Sequence, residues 1–165
     1  MQEEVLEEIL RCVEKPARYT GGEVNMIVKD PARMRVRFAF AFPDTYEVGM
    51  SHLGGKILYE VMNRPEDVYC ERVYAPWPDM ERQLRDRGLK LFSLETHTPL
   101  CAFDMVGFAL SYEMSYTNML NMLDLAGIPL RSADRGAKDP IVVAGGPCVY
   151  NPEPIAPFVD AFIIG

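Results

Sequence analysis

Residues 34–55 read MRVRFAFAFPDTYEVGMSHLGG. The first nine alternate: Met34, Val36, Phe38, Phe40 and Phe42 fall on one side, the period of a β-strand. Pro43-Asp44 stops the strand. Beyond it, Leu53, Ile57, Leu58, Val61 and Met62 recur at helical spacing, which predicts a helix over 51–63 with those residues as its buried stripe. A strand running at once into a helix is half of a βαβ unit.

The rest of the chain repeats that alternation. Residues 68–74 (VYCERVY) read as a second strand. A turn at 76–79 follows, with Asp79 as N-cap of a helix over 80–87 that Gly88 ends. Residues 89–94 read as a short extended run. Residues 104–111 (DMVGFALS) are apolar almost throughout, as in a strand buried on both faces. A helix over 118–126 follows, ended by Gly127 and Pro129. Residues 141–144 (IVVA) are a fourth strand, 154–158 a helical turn and 159–164 a fifth strand. Upstream, an amphipathic helix over 2–14 stops at Pro16, and 17–33 read as an irregular arm with an extended piece at 24–28. Strands alternating with helices predict an α/β fold with a mainly parallel five-stranded sheet and helices on both faces. The division expected is an arm at 1–33 and one domain at 34–165.

Composition narrows the function classes. The chain has 165 residues, 48% hydrophobic and 25% charged, with a formal charge of −7. That suits one soluble domain. The cationic residues are scattered among acids, as in Glu81, Arg82, Arg85, Asp86 and Arg87, a solvated helix face with no signal for nucleic acid. No apolar stretch reaches the roughly 20 residues of a membrane helix. The acidic N-terminus is no signal peptide, so a cytoplasmic location is expected. Cys12, Cys70, Cys101 and Cys148 form no CxxC pair, and isolated thiols of this kind read as small buried hydrophobes. No metal ligands or catalytic residues follow from local spacing.

In parallel sheets ligands bind beyond the carboxyl ends of the strands. Three unusual segments fall there: 43–55, 111–118 and 145–154. In the first, Gly49, Gly54 and Gly55 allow close backbone approach, and Ser51 is a candidate cap for the next helix. Its spacing does not match a nucleotide P-loop. In the second, Ser111, Tyr112, Ser115, Tyr116 and Asn118 offer hydroxyls and an amide. In the third, Gly145 and Gly146 leave room above a strand end. His52 and His97 are the two histidines, each also readable as a packed or capping side chain.

These residues carry a resemblance. PIVVAGGPCVYNPEPIAPFVDAFIIG (140–165) resembles the last strand–loop–strand unit of the N-terminal domain of radical S-adenosylmethionine (radical SAM) proteins. Gly145, Gly146, Pro147, Pro152, Glu153, Pro154, Asp160 and Gly165 match that family's glycine pair, proline-rich turn and aspartate-led strand. FPDTYEVGMSHLG, ERVYAPWPDME and FALSYEMSYTNMLNMLDLAGIP extend the resemblance, to one subfamily, from about Tyr19 to Gly165. It implies a Rossmann-like, flavodoxin-type three-layer sandwich that binds cobalamin. It also implies a radical SAM barrel of the same polypeptide beyond this chain, holding S-adenosyl-L-methionine and a 4Fe-4S cluster on CxxxCxxC. That motif is missing here, so the chain alone is expected to lack radical chemistry, and the substrate stays unnamed.

Cobalamin domains of the methyltransferase type carry DxHxxG after the first strand. Here Asp44 and Gly49 match, but Tyr46 stands at the histidine position, and a neutral phenol is a poor cobalt ligand. His52 lies six residues further on and needs a different loop to serve. Ser111 matches the small hydroxyl position and Gly145-Gly146 the later glycine pair. The cofactor-binding set implied is therefore Asp44, Tyr46, Gly49, His52, Ser111, Gly145 and Gly146. Two functions remain open: a domain presenting cobalamin to the barrel, or a degenerate domain serving as a substrate- or protein-interaction module. The second predicts exposed apolar residues near 158–164. An independent flavin or phosphoacceptor domain is a third class, which the missing acids around Asp44 disfavour.

Overall fold

The computed structural model describes residues 3–165; Gln2, within the predicted first helix, lies outside the described residues. Five strands form one sheet: β1 (Val36–Phe42), β2 (Val68–Tyr74), β3 (Met105–Ala109), β4 (Ile141–Gly145) and β5 (Ala161–Ile163). Every pairing is parallel and the order is β2-β1-β3-β4-β5. This is the flavodoxin-like doubly wound order, with its switch point between β1 and β3. The α/β Rossmann-like architecture expected from the strand–helix alternation is therefore the architecture found.

Among the described residues five α-helices accompany the sheet: α1 (Glu3–Leu10), α2 (Tyr46–Ser51), α3 (Leu53–Met62), α4 (Pro78–Asp86) and α5 (Tyr116–Ala126). The larger core lies on one face. There Ala39, Ala41, Val73, Val106, Phe108, Val142 and Ala144 meet Leu6 and Ile9 of α1, Met80 and Leu84 of α4, and Met119, Met122 and Leu123 of α5. The alanines of β1 point into this core, where small side chains let helices approach. The aromatic face of β1 points the other way, and Phe40 forms a smaller core with Tyr59 of α3 and Cys70 of β2. None of the helices among the described residues is long and apolar enough to cross a membrane.

The arm straps β2 to α3. Lys29 Nζ donates to the carbonyls of Asn63, Pro65 and Val68 at 2.6–2.7 Å, which satisfies the open end of α3. Residues 24–28 form no strand; Val24 and Val28 are exposed.

Several local expectations change. Gly55 and Tyr59 are the buried residues of α3, whereas Leu53, Ile57, Leu58 and Val61 are exposed. The helix turns its small and aromatic residues to the sheet, because Phe40 stands under Gly55. Helix α4 begins at Pro78 with Trp77 as N-cap. Asp79 is inside its first turn, where it accepts from the Glu14 N–H at 2.7 Å. Residues 89–94 make a single antiparallel bridge, Phe92 to Pro99, in place of a strand. Among the thiols, Cys70 and Cys148 are buried, Cys101 is half-buried and Cys12 is exposed.

Candidate functional site

The parallel sheet brings the three unusual segments to one rim. Asp44 follows β1, Ser111 and Tyr112 follow β3, and Gly145 and Gly146 close β4. At the switch point the crevice is bridged by side chains. The Tyr112 hydroxyl donates to Asp44 Oδ2 at 3.2 Å, and Asn118 Nδ2 donates to the Pro43 carbonyl at 3.0 Å. The other Asp44 oxygen accepts from the Thr45 N–H at 2.7 Å. The negative charge of Asp44 raises the Tyr112 pKa, so this phenol remains a donor at neutral pH.

Gly146 has φ of +105°, and a Cβ there would lie 2.6 Å from the Leu110 carbonyl oxygen. The backbone itself requires glycine at this turn. Gly145 has no such constraint: the nearest contacts of an added Cβ are 3.8 Å away, on Ile163. Ser111 and Gly146 are exposed and Gly145 is half-buried. The Leu110 N–H donates to the Gly145 carbonyl at 2.8 Å, and the Cys148 N–H donates to the Leu110 carbonyl at 3.2 Å. These bonds hold Ser111 beside the glycine pair.

The loop after β1 is packed shut. A Cβ at Gly49 would enter the Tyr74 ring, so this glycine makes room for a protein side chain. Tyr46 packs edge-on against Tyr74 with ring centroids 5.6 Å apart, and its hydroxyl donates to Glu23 Oε1 at 3.1 Å. Burial raises the Tyr46 pKa, and the Glu23 carboxylate raises it further. The side chain is a neutral phenol whose proton is already engaged. His52, not Ser51, caps α3: its Nδ1 accepts from the Gly55 N–H at 3.0 Å while its ring packs on Phe42. An Nδ1 that accepts leaves the neutral ring protonated at Nε2, so neither nitrogen offers a free lone pair. Ser51 instead donates to the Val48 carbonyl at 2.8 Å.

Under this loop lies a charged cluster that the sequence reading missed. Arg72 is buried in β2, over the Tyr59 ring at 4.2 Å, and donates to Glu95 Oε1 at 2.7 Å. Its Nη2 faces Glu23 Oε2 at 3.5 Å. One residue earlier, buried Glu71 accepts from Arg37 at 2.6 Å and from Ser93 and Thr96 at 2.7 and 2.6 Å. The signal was present: adjacent acid and base inside VYCERVY, a strand otherwise apolar and aromatic. A cavity of about 20 Å³ borders Tyr46, Arg72 and Tyr74. That volume admits a water.

A corrin ligated by histidine does not fit these residues. The position expected to supply the imidazole holds a hydrogen-bonded phenol, the nearby histidine is spent on a helix cap, and the glycine of the motif is filled by Tyr74. Among the described residues, no three His, Cys, Asp or Glu side chains gather as a metal-binding group.

A family model described as "Radical SAM proteins, N-terminal" matches residues 54–165. The chain belongs to this family. The match spans the last four strands, including Ser111, Gly145 and Gly146, and stops short of Asp44, Tyr46, Gly49 and His52. No curated protein and no solved structure matches the chain. The radical SAM N-terminal domain is thus an accessory domain, and membership implies a radical SAM barrel in the same polypeptide.

Proposed function

We propose that this domain is a docking module of a radical SAM protein: its strand-end rim meets the barrel and orients barrel or substrate, without a histidine-ligated corrin. The observation that carries this reading is the character of the rim. Val48, Tyr112, Met114 and Tyr150 are exposed around it, while the loop behind is filled by Tyr46 and Tyr74. Exposed aromatic and methionine side chains beside a closed crevice suit contact with another protein surface. The expectation of exposed apolar residues near 158–164 fits as well, for Ile163 and Ile164 are exposed, whereas Phe158 and Phe162 pack partly on the core.

Maleimide labelling tests the reading. Cysteines introduced as Met114→Cys and Tyr150→Cys react quickly in this chain and at least tenfold more slowly in the radical SAM polypeptide that contains it. Equal rates in the two settings overturn it. A second reading has one observation in its favour: Ser111, Gly145 and Gly146 share an edge, and an added Cβ at Gly145 would meet nothing nearer than Ile163 at 3.8 Å. A flat ligand, cobalamin included, would then be held there with no protein ligand to its metal.

A further inference from the structure

The three segments of the strand-end rim carry one sign of charge. Residues 43–55, 111–118 and 145–154 contain Asp44, Glu47, Glu113 and Glu153 but no lysine or arginine, in a chain that has 17 of these cations among 165 residues. Parallel topology produces the separation. Arg35, Arg64, Arg131 and Arg135 lie in segments that lead into a strand, so they gather at the amino ends of the sheet. There both signs occur and are matched: Arg35 pairs with Asp67 at 2.6 Å and Arg135 with Asp160 at 3.0 Å.

At the rim only Glu47 is matched, by Lys15 and Arg18 of the arm at 3.4 and 2.8 Å. Asp44 accepts from the Thr45 N–H and the Tyr112 hydroxyl, neither of them a cation. Glu113 and Glu153 are exposed and enter no ion pair among the described residues. Lys56 follows the first segment directly but lies on the β2 side, where it lines a small cavity with Arg72 and Tyr74.

The unmatched acids are interleaved with the exposed apolar side chains of the rim. Asp44 is bonded to Tyr112, Glu113 stands between Tyr112 and Met114, and Glu153 follows Tyr150 by three residues. Met114 and Tyr150 are 77% and 70% exposed. An apolar patch with a charged margin is the plan of a protein–protein interface. A margin of one sign attracts and orients a surface of the opposite sign and repels its own. Nucleic acid and anionic membrane are thereby opposed as occupants.

We propose that the surface docking on this rim is cationic: a protein face that sets lysine or arginine side chains against Asp44, Glu113 and Glu153 around an apolar centre. The inference rests on the docking reading of the rim and adds the chemistry of the partner.

The test follows maleimide labelling of Met114→Cys in the radical SAM polypeptide that contains this chain, each rate taken relative to the same variant of this chain alone. Exposed ion pairs are individually weak, so the effect is several-fold in place of all-or-none. Between about 0.1 M and 1 M NaCl the Debye length shrinks from about 10 to about 3 Å, and the relative rate rises at least threefold. At the lower salt, adding Glu113→Lys/Glu153→Lys raises it at least tenfold, and Glu113→Gln/Glu153→Gln raises it less. Both side chains are exposed, so the thermal midpoint of this chain stays unchanged, which separates lost docking from lost folding. Protection that neither salt nor these variants alter overturns the proposal and leaves the rim reading standing, with a neutral partner face. Protection that grows with salt or in the lysine variant also overturns it, and identifies an anionic partner. Labelling as fast in the longer protein as in this chain refutes the rim reading itself, and this inference with it.

Discussion

Replacing each member of the Gly145-Gly146 pair by alanine separates backbone necessity from ligand clearance. Gly146 has φ of +105° and ψ of −179°, a region that is essentially glycine-only and costs other residues about 1–3 kcal/mol. Its added Cβ would also meet the Leu110 carbonyl oxygen at 2.6 Å and the carbonyl carbon at 3.1 Å. That carbonyl cannot swing aside, because the Cys148 N–H donates to it and the Leu110 N–H is bonded to Gly145. Overpacking of this kind costs a further ~1–3 kcal/mol. Gly146→Ala should therefore lose about 3–4 kcal/mol. At Gly145 the added Cβ finds ordinary contacts at 3.8 Å, and alanine in a strand gains roughly 0.5 kcal/mol over glycine. For a chain of this size the gap of about 3.5–4.5 kcal/mol corresponds to about 7–18 °C in Tm. Thermal unfolding of the two variants, followed by far-ultraviolet circular dichroism, measures it. Midpoints within about 1 °C of each other would refute the backbone argument and return Gly146 to the role of clearing space for a ligand.

Other outcomes follow from the same contacts. Arg72→Met leaves Glu95 buried without its cation, and should cost about 3–5 kcal/mol in urea unfolding; a loss below 1 kcal/mol would mean that Glu95 is not charged in the folded protein. His52→Ala removes the cap on Gly55, with an expected loss of about 1 kcal/mol that His52→Asn largely restores; equal losses would exclude the capping role. Burial raises the pKa values of Tyr46, Tyr59, Tyr69 and Tyr74. A native state that holds its phenol protons more tightly than the unfolded chain has this contribution in full below the ordinary tyrosine range, near pH 10, and loses it as pH rises further. Stability should thus fall steeply above pH 10, with phenolate absorbance at 295 nm rising together with unfolding; free ionisation near pH 10 in a chain that stays folded would contradict it.

The strand–helix alternation was legible because each strand carries its own pattern: alternation in β1, an unbroken apolar run in β3. Sequence position also placed the three rim segments, since chain direction in a parallel sheet fixes which ends share a side. What failed was the choice of faces. Hydrophobicity alone picks Leu53, Ile57, Leu58 and Val61 as the buried side of α3, but the sheet beneath is already filled by Phe40, which accepts Gly55 and Tyr59 instead. Gly49 misled for a related reason: a missing side chain signals close approach without saying by what, and here the visitor is Tyr74. The Ser51 cap was displaced because residues 46–51 form a helix of their own, which leaves His52 at the junction. Arg72 and Glu71 were readable as charges within a buried strand, but their partners Glu95, Glu23 and Arg37 come from segments 23–49 residues away.

The most direct measurement is a titration with hydroxocobalamin, read by visible absorbance and calorimetry, on this chain and on the radical SAM polypeptide that contains it. A docking module predicts no saturable binding to the domain in either protein, and no change when Ser111 or Gly145 is replaced by a bulky residue. Saturable one-to-one binding to this chain, abolished by Ser111→Trp, would contradict that account and establish the rim as a corrin site; sensitivity to His52→Ala as well would show that the helix cap opens to ligate cobalt.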